Sequence, residues 1–259
     1  MSDDATIRGL YCYPIKGLSA QPLEGVDLIP GQGFPNDRMF GFARADSGFD
    51  PEAPKPLPKH KFLVLAQEAE LARLNTTFDP DTRQMSVTHD GVARSFDLTD
   101  AEGRAGAVAY MARHLDLAKD KTPEFVHAAP HRFTDVSVVS DQMMNAISIL
   151  NLDSLRDLER KARVQLDPAR FRANLVLDGW PGFSELDMMD REIRIGDARL
   201  KVIFETRRCA ATEVNPETAE RDLKVPQLLH KNFGHMNMGV YAEVMDPGHI
   251  APGDKVTLI

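Results

Sequence analysis

The sequence is short of cysteine, of tryptophan and of long apolar runs, and each shortage excludes something. Of its 259 residues, two are cysteine and one is tryptophan. Two cysteines cannot build the disulfide framework of a small secreted domain, and no CxxC pair offers half of a structural zinc site. Cys12 and Cys209 therefore have to be judged one at a time. No apolar stretch approaches the roughly 20 residues that a membrane span needs. The start, MSDDATIRGLYCYP, is acidic where a secretory signal is basic. The expectation is a soluble, cytoplasmic protein. Positive charge is also short, with 31 Lys and Arg against 39 Asp and Glu and a formal net charge of -8. That balance argues against a protein that coats nucleic acid or anionic lipid, so neither nucleic acid nor a membrane is expected as a partner. It leaves room for a small basic pocket inside an acidic shell.

Several signatures of common enzyme classes are missing as well. There is no glycine-rich phosphate loop, no nucleophile elbow and no two-histidine zinc helix. His127 and His131 are four residues apart, but Pro130 between them places the segment in a loop, and a shared metal is not expected.

The remaining composition is globular, 42% hydrophobic and 27% charged, with enough chain for one large core or two smaller ones. The opening third reads as strands: IRGLYCYPIKGL, GVDLIPGQG and RMFGFARADSG carry β-formers bounded by Pro and Gly. DPEAPKPLPKHK reads as an exposed, stiff loop, because clustered prolines fit neither a helix nor a central strand. EAELARLNTTFD is compatible with a short helix. QMSVTHDGVARSFDL reads as a hairpin turning at Asp90-Gly91, and residues 101–118 as an amphipathic helix.

Past residue 126 the chain alternates again. VSVVS is expected as a strand, followed by a helical run capped by Ser140 or Asp141. A second helix runs through SLRDLERKA, with Leu155, Leu158 and Ala162 on one face and outward pairs Asp157–Lys161 and Glu159–Arg163. In REIRIGDARLKVIFET, Ile193 and Ile195 alternate, Gly196-Asp197 turns, and Ala198, Leu200, Val202 and Phe204 alternate again. MGVYAEVMDPG and GDKVTLI supply the last strands.

Three groups of residues could carry chemistry. Cys209 follows Arg207 and Arg208 just past a strand end, where two guanidiniums would favour a thiolate, the nucleophilic and metal-binding form. The alternative is a small buried hydrophobe with its arginines in solvent. Lys16 in YPIKG and Arg38 in NDRMF stand near strand ends and could hold an anionic group, Arg in bidentate fashion and Lys as a point charge. Asp37 could equally pair with neighbouring arginines and do nothing else. Arg170 and Arg172 in RFRANLVLDG lead into a β-like run, and Asn174 offers an amide that both donates and accepts; the alternative is an Arg-x-Arg pair on a solvated edge-strand face.

Taken together and in order, YPIKG, GQGFPNDRMF, RFRANLVLDG, IRIGDARLKV and RRCAATEVNPET resemble the motifs of the MOSC family, which is related to the C-terminal domain of molybdenum cofactor sulfurase. The resemblance covers nearly the whole chain. It implies an α+β, mainly β fold: a MOSC β-barrel with helical insertions over residues 126–259, preceded by a β-rich MOSC-associated domain over 1–125. It further implies molybdenum held as a pyranopterin cofactor, chemistry without pyridoxal phosphate, and Cys209 as both metal ligand and catalytic residue. Lys16, Gly17, Asp37, Arg38, Ser140, Arg172, Asn174 and Arg208 are the implied cofactor-binding residues. Gly17 stands where several relatives have serine. Ala219 stands where relatives often have glycine, which suggests a different turn. The implied activity is reduction of N-hydroxylated or related N-oxygenated small molecules, with electrons from a separate donor protein. The alternatives are a carrier of sulfur, as a Cys209 persulfide, or of the cofactor, and a barrel that binds without turnover.

Overall fold

The computed structural model describes residues 4–259, so the first three residues of the acidic start lie outside it. The first half runs β1 (Asp4–Cys12), β2 (Gln21–Leu23), β3 (Val26–Leu28), β4 (Phe40–Ala43), β5 (Asn75–Phe78), β6 (Gln84–His89), β7 (Val92–Asp97), α1 (Ala101–His114) and β8 (Glu124–His127). The second half runs α2 (Asp141–Met144), β9 (Ile147–Asn151), α3 (Leu152–Ala162), β10 (Leu175–Asp178), β11 (Glu192–Ile195), β12 (Ala198–Arg207), α4 (Val225–Phe233), β13 (Asn237–Asp246), β14 (Gly248–Ile250) and β15 (Lys255–Leu258). The chain is mainly β, as its motifs led one to expect. No helix among the described residues is long and apolar enough to cross a membrane.

Seven strands close into a barrel in the order β10-β9-β13-β12-β11-β15-β1, with β1 pairing back onto β10. Closure leaves no open sheet edge among these strands. Alternating residues fill the interior: Ile7 and Leu10 from β1, Ile147 and Ile149 from β9, and Leu200 and Val202 from β12 are all buried there. β9 and β10 are parallel, so they need a crossover, and α3 supplies it. Leu155 and Leu158 of α3 cover the outer face of β9 at Leu150, together with Leu229 of α4. A second core gathers Ile15, Phe40, Phe42, Leu71, Met85, Val87 and Met111 in the first half. The barrel nevertheless takes its closing strand, and Val26 and Leu28 of β3, from that first half.

Several local expectations need correction. VSVVS forms turns, with Val138 and Val139 about half exposed at 50% and 57%. β-branched residues make a strand only where a partner strand is at hand, and the partnered strand is β9, which starts at Ile147 inside what reads as a helical run. That run shrinks to the single turn of α2. EAELARLNTTFD gives one 3-10 turn (Ala69–Arg73) and then β5, which pairs with β6. Phe204 leaves the barrel interior because the β12–β13 register shifts between Val202 and Phe204, and it is 44% exposed. On α3, Asp157 pairs with Arg160 at 2.7 Å rather than with Lys161, and Glu159 accepts from the Leu166 N–H instead of pairing with Arg163. The hairpin does form, with Asp90 and Gly91 at φ +48° and +75°, the left-handed pair that a tight two-residue turn requires.

Because β1 closes the barrel, a fragment of residues 126–259 alone leaves β10 and β15 with unpaired edges. We expect it to aggregate or to unfold without a cooperative transition, as read by size exclusion and thermal unfolding. A fragment that melts as sharply as the whole chain contradicts this account of the barrel.

Candidate functional site

The segments YPIKG and NDRMF zip together at the end of β1. Arg38 N–H donates to Tyr13 O at 2.8 Å, Lys16 N–H to Phe40 O at 2.8 Å, and Phe40 N–H to Pro14 O at 3.1 Å. The Asp37 carboxylate accepts from Tyr13 N–H at 2.8 Å, Asn174 Nδ2 at 3.0 Å and Arg38 Nη1 at 2.6 Å. Asn174 in turn donates to Tyr11 O and accepts from Ser148. Asp37 and Asn174 are buried, and their polar atoms are engaged by protein partners. They shape the wall of a cleft of about 260 Å³ that lies beside these segments.

Seven basic side chains line this cleft against three carboxylates, within a chain of net charge -8. The guanidinium carbons of Arg38 and Arg172 lie 4.4 and 4.3 Å from the Tyr13 ring centroid, close enough for cation–π attraction to hold them. Arg172 has no carboxylate partner among the described residues. Burial, and then Arg38, lower it to about 10, which still leaves it charged at neutral pH. Burial also lowers Arg208 to about 10. Its Nε donates to Met238 O and its Nη1 to Phe171 O, while its Nη2 is buried and unpartnered. Thr206 Oγ1, also at the cleft, is buried without a partner. Buried polar atoms left unpaired are costly, and an anionic, oxygen-rich group in the cleft would satisfy them.

Lys16 is buried, and burial pushes its ammonium down while Asp135, its ion-pair partner, opposes that. Gly17 has φ +84°, and a Cβ there would stand 2.5 Å from Leu63 O. Only glycine fits, whatever stands there in relatives. Ala219 adopts φ +62°, so the glycine-type turn is kept rather than replaced. Ser140 lies outside the cleft. Its hydroxyl accepts from Met143 N–H and caps α2.

The two cysteines differ sharply. Cys12 is 2% exposed in the barrel core, and burial, followed by Asp37, pushes its thiol up to about 12. Cys209 is half-buried in the loop after β12 and lines the cleft. The cation at its sulfur is neither adjacent arginine. Lys59, from the proline-rich loop, places Nζ 3.1 Å from Cys209 Sγ and 3.4 Å from Asp135 Oδ2. Arg207 is exposed at the rim. Lys59, Asp135, Ser148, Thr206 and Tyr241 line the cleft without having been expected there. Only the run PLPKHK, with Lys59 directly after Pro58 and close behind Pro56, carried a hint of a rigidly held cation.

The chain is a closed β-barrel with one accessible cysteine in a cationic cleft, and comparison with known proteins gives its family. Residues 126–257 match the MOSC domain and residues 4–129 the MOSC N-terminal beta barrel domain. The chain belongs to the MOSC family. It is 30% identical to mitochondrial amidoxime-reducing component 1 of Homo sapiens over 146 residues, which is 50% of this chain and 43% of that protein. It is 23% identical to molybdenum cofactor sulfurase of Drosophila persimilis over 161 residues, 58% of this chain and 20% of that one. The chain thus spans less than half the length of either relative. Among solved structures, the YUAD protein from Bacillus subtilis aligns over 98% of this chain and 95% of its own, at 15% identity and a TM-score of 0.45.

Two outcomes are expected. In the native protein, iodoacetamide modifies Cys209 and spares Cys12, which reacts only after unfolding, as peptide mass spectrometry will read; prompt labelling of Cys12 contradicts its burial. Gly17→Ser lowers stability by roughly 2 kcal/mol or more through backbone strain and the clash with Leu63 O. A neutral effect in denaturant titration would contradict the geometry.

Proposed function

We propose that the chain is a molybdenum-cofactor-binding oxidoreductase that reduces N-hydroxylated or related N-oxygenated small molecules, with Cys209 as the protein ligand to the metal. The observation that carries this reading is a single accessible thiol in a cleft whose buried cationic edge, at Arg208 Nη2, is unpartnered. Among the described residues no three His, Cys, Asp or Glu side chains gather as a ligand set. A metal bound at Cys209 would therefore arrive already chelated, and a soft thiolate suits such a centre. The cofactor, when bound, supplies the two-electron chemistry.

This chain's residues do the holding. Arg38, Arg172, Arg208 and Lys16 present fixed positive charge to an anionic pterin, Asp37 and Asn174 keep the arginine-bearing loops in register, and Thr206 offers a hydroxyl. Electrons come from a separate donor protein, and the protein works in the cytoplasm. The second reading, a carrier of sulfur as a Cys209 persulfide, draws on the Lys59 ammonium at Sγ, which would also stabilise a perthiolate anion.

Protein from a cofactor-making host fed molybdate is expected to hold close to one molybdenum per chain, lost in Cys209→Ala together with benzamidoxime reduction. Metal absent from both proteins sinks the reductase. An added labile sulfur on Cys209 without molybdenum supports the carrier.

A further inference from the structure

Lys59 takes no part in the reductase reading above, although its Nζ stands 3.1 Å from the accessible Cys209 sulfur. Its backbone is fixed: the turn Lys59–Lys61 follows Pro58, and Lys61 O accepts from Arg44 N–H at 2.8 Å, just after β4. A rigid base of this kind holds a long side chain in one direction. Its ammonium is paired with the Asp135 carboxylate 3.4 Å away and is about a third exposed, which keeps it charged. Its Nζ contacts Cys209 Sγ and Asp135, and an ammonium can make three donations, so it has capacity for one more partner in the cleft. On the same cleft, Phe204, Val64, Leu65 and Val136 offer an apolar wall.

We propose that Lys59 is a substrate-positioning residue whose ammonium seats an anionic or N-oxygen-bearing head group beside the Cys209 sulfur. The class of molecule this selects is small, with a compact oxygen-bearing head for Lys59 and an apolar body for the wall at Phe204. The identity of the natural molecule rests on the proposed reductase. The seat itself is a property of this chain and can be read with no cofactor bound.

The test uses two alkylating reagents of nearly equal size, iodoacetate and iodoacetamide, on cofactor-free protein at one pH. The ratio of their rates at Cys209 cancels the sulfur's own reactivity and reports only the attraction for the carboxylate. Lys59→Met is expected to lower the iodoacetate-to-iodoacetamide ratio about tenfold at low salt, the size of one lost charge contact in a partly solvated cleft. Lys59→Gln should do the same, while Lys59→Arg should keep the ratio near wild type. Lys61→Met, from the same turn but with its amine on Asp46 O, should leave it unchanged. Thermal midpoints of all four variants confirm folding, and Lys59→Gln carries the test if Lys59→Met is unstable. A ratio unmoved by loss of the Lys59 charge overturns the seat, whether or not the protein binds molybdenum. A Lys59-dependent ratio in a protein that never binds molybdenum keeps the seat and sinks the reductase instead.

Discussion

The Asn174 side chain accepts through its oxygen from Ser148 N–H and Oγ, and donates through its nitrogen to Tyr11 O and Asp37 Oδ1. One amide thus ties the approach to β10, the start of β9, the end of β1 and the loop that carries Arg38. Asn174, Ser148 and Asp37 are buried, so a missing partner among them would leave a desolvated polar atom at a cost of about 1–3 kcal/mol. The low dielectric that makes such a loss expensive also makes the satisfied network stiff. The cleft inherits that stiffness. Arg38 leans on Asp37 and on Arg172 O, and Tyr13, anchored by its N–H on Asp37, holds both guanidiniums against its ring.

That stiffness bears on the electrostatics. Taking a cation out of water opposes its ionisation, which is why Arg172 and Arg208 both fall to about 10, with the neighbouring Arg38 adding to the effect at Arg172. They remain cationic because carbonyls, an aromatic face and nearby carboxylates offset part of the cost. Asp135 is the clearest compensation. Its carboxyl is only partly withdrawn from water, and Lys16 and then Lys59 hold it well below the usual carboxylate range. Arg170 is neutralised by Asp222 from outside the cleft, and three carboxylates cannot neutralise the six cations that remain, a surplus that makes the cleft a place for an anion.

Much of this was legible in the sequence where chemistry is local. Alternation placed Ile193, Ile195, Leu200 and Val202 inside, Asp90-Gly91 turned a hairpin, and the positions of Lys16, Arg38, Arg172, Arg208 and Cys209 in recognisable segments brought them to one cleft. What failed was non-local. VSVVS has every mark of a strand and no partner to pair with, whereas ISILN is a central strand because β10 and β13 flank it. Phe204 obeys the alternation of its strand until a bulge, invisible in one sequence, turns it outward. Lys59 reaches Cys209 across 150 positions of chain, and only the closed fold brings them together.

The same closure explains why the cleft belongs to neither half. Lys16, Arg38 and Lys59 come from the first 125 residues, while Asp135, Arg172, Arg208 and Cys209 come from the rest. β1 belongs to the barrel, and the chain leaves it at Cys12 directly into Tyr13 and Lys16, so its register fixes where those residues stand. A one-residue slip of β1 would turn Cys12 out of the core and carry the following segment to the other face. The register that buries Cys12 therefore also sets where Tyr13 and Lys16 stand at the cleft that Cys209 lines. The strand that hides one sulfur aligns the residues that surround the other.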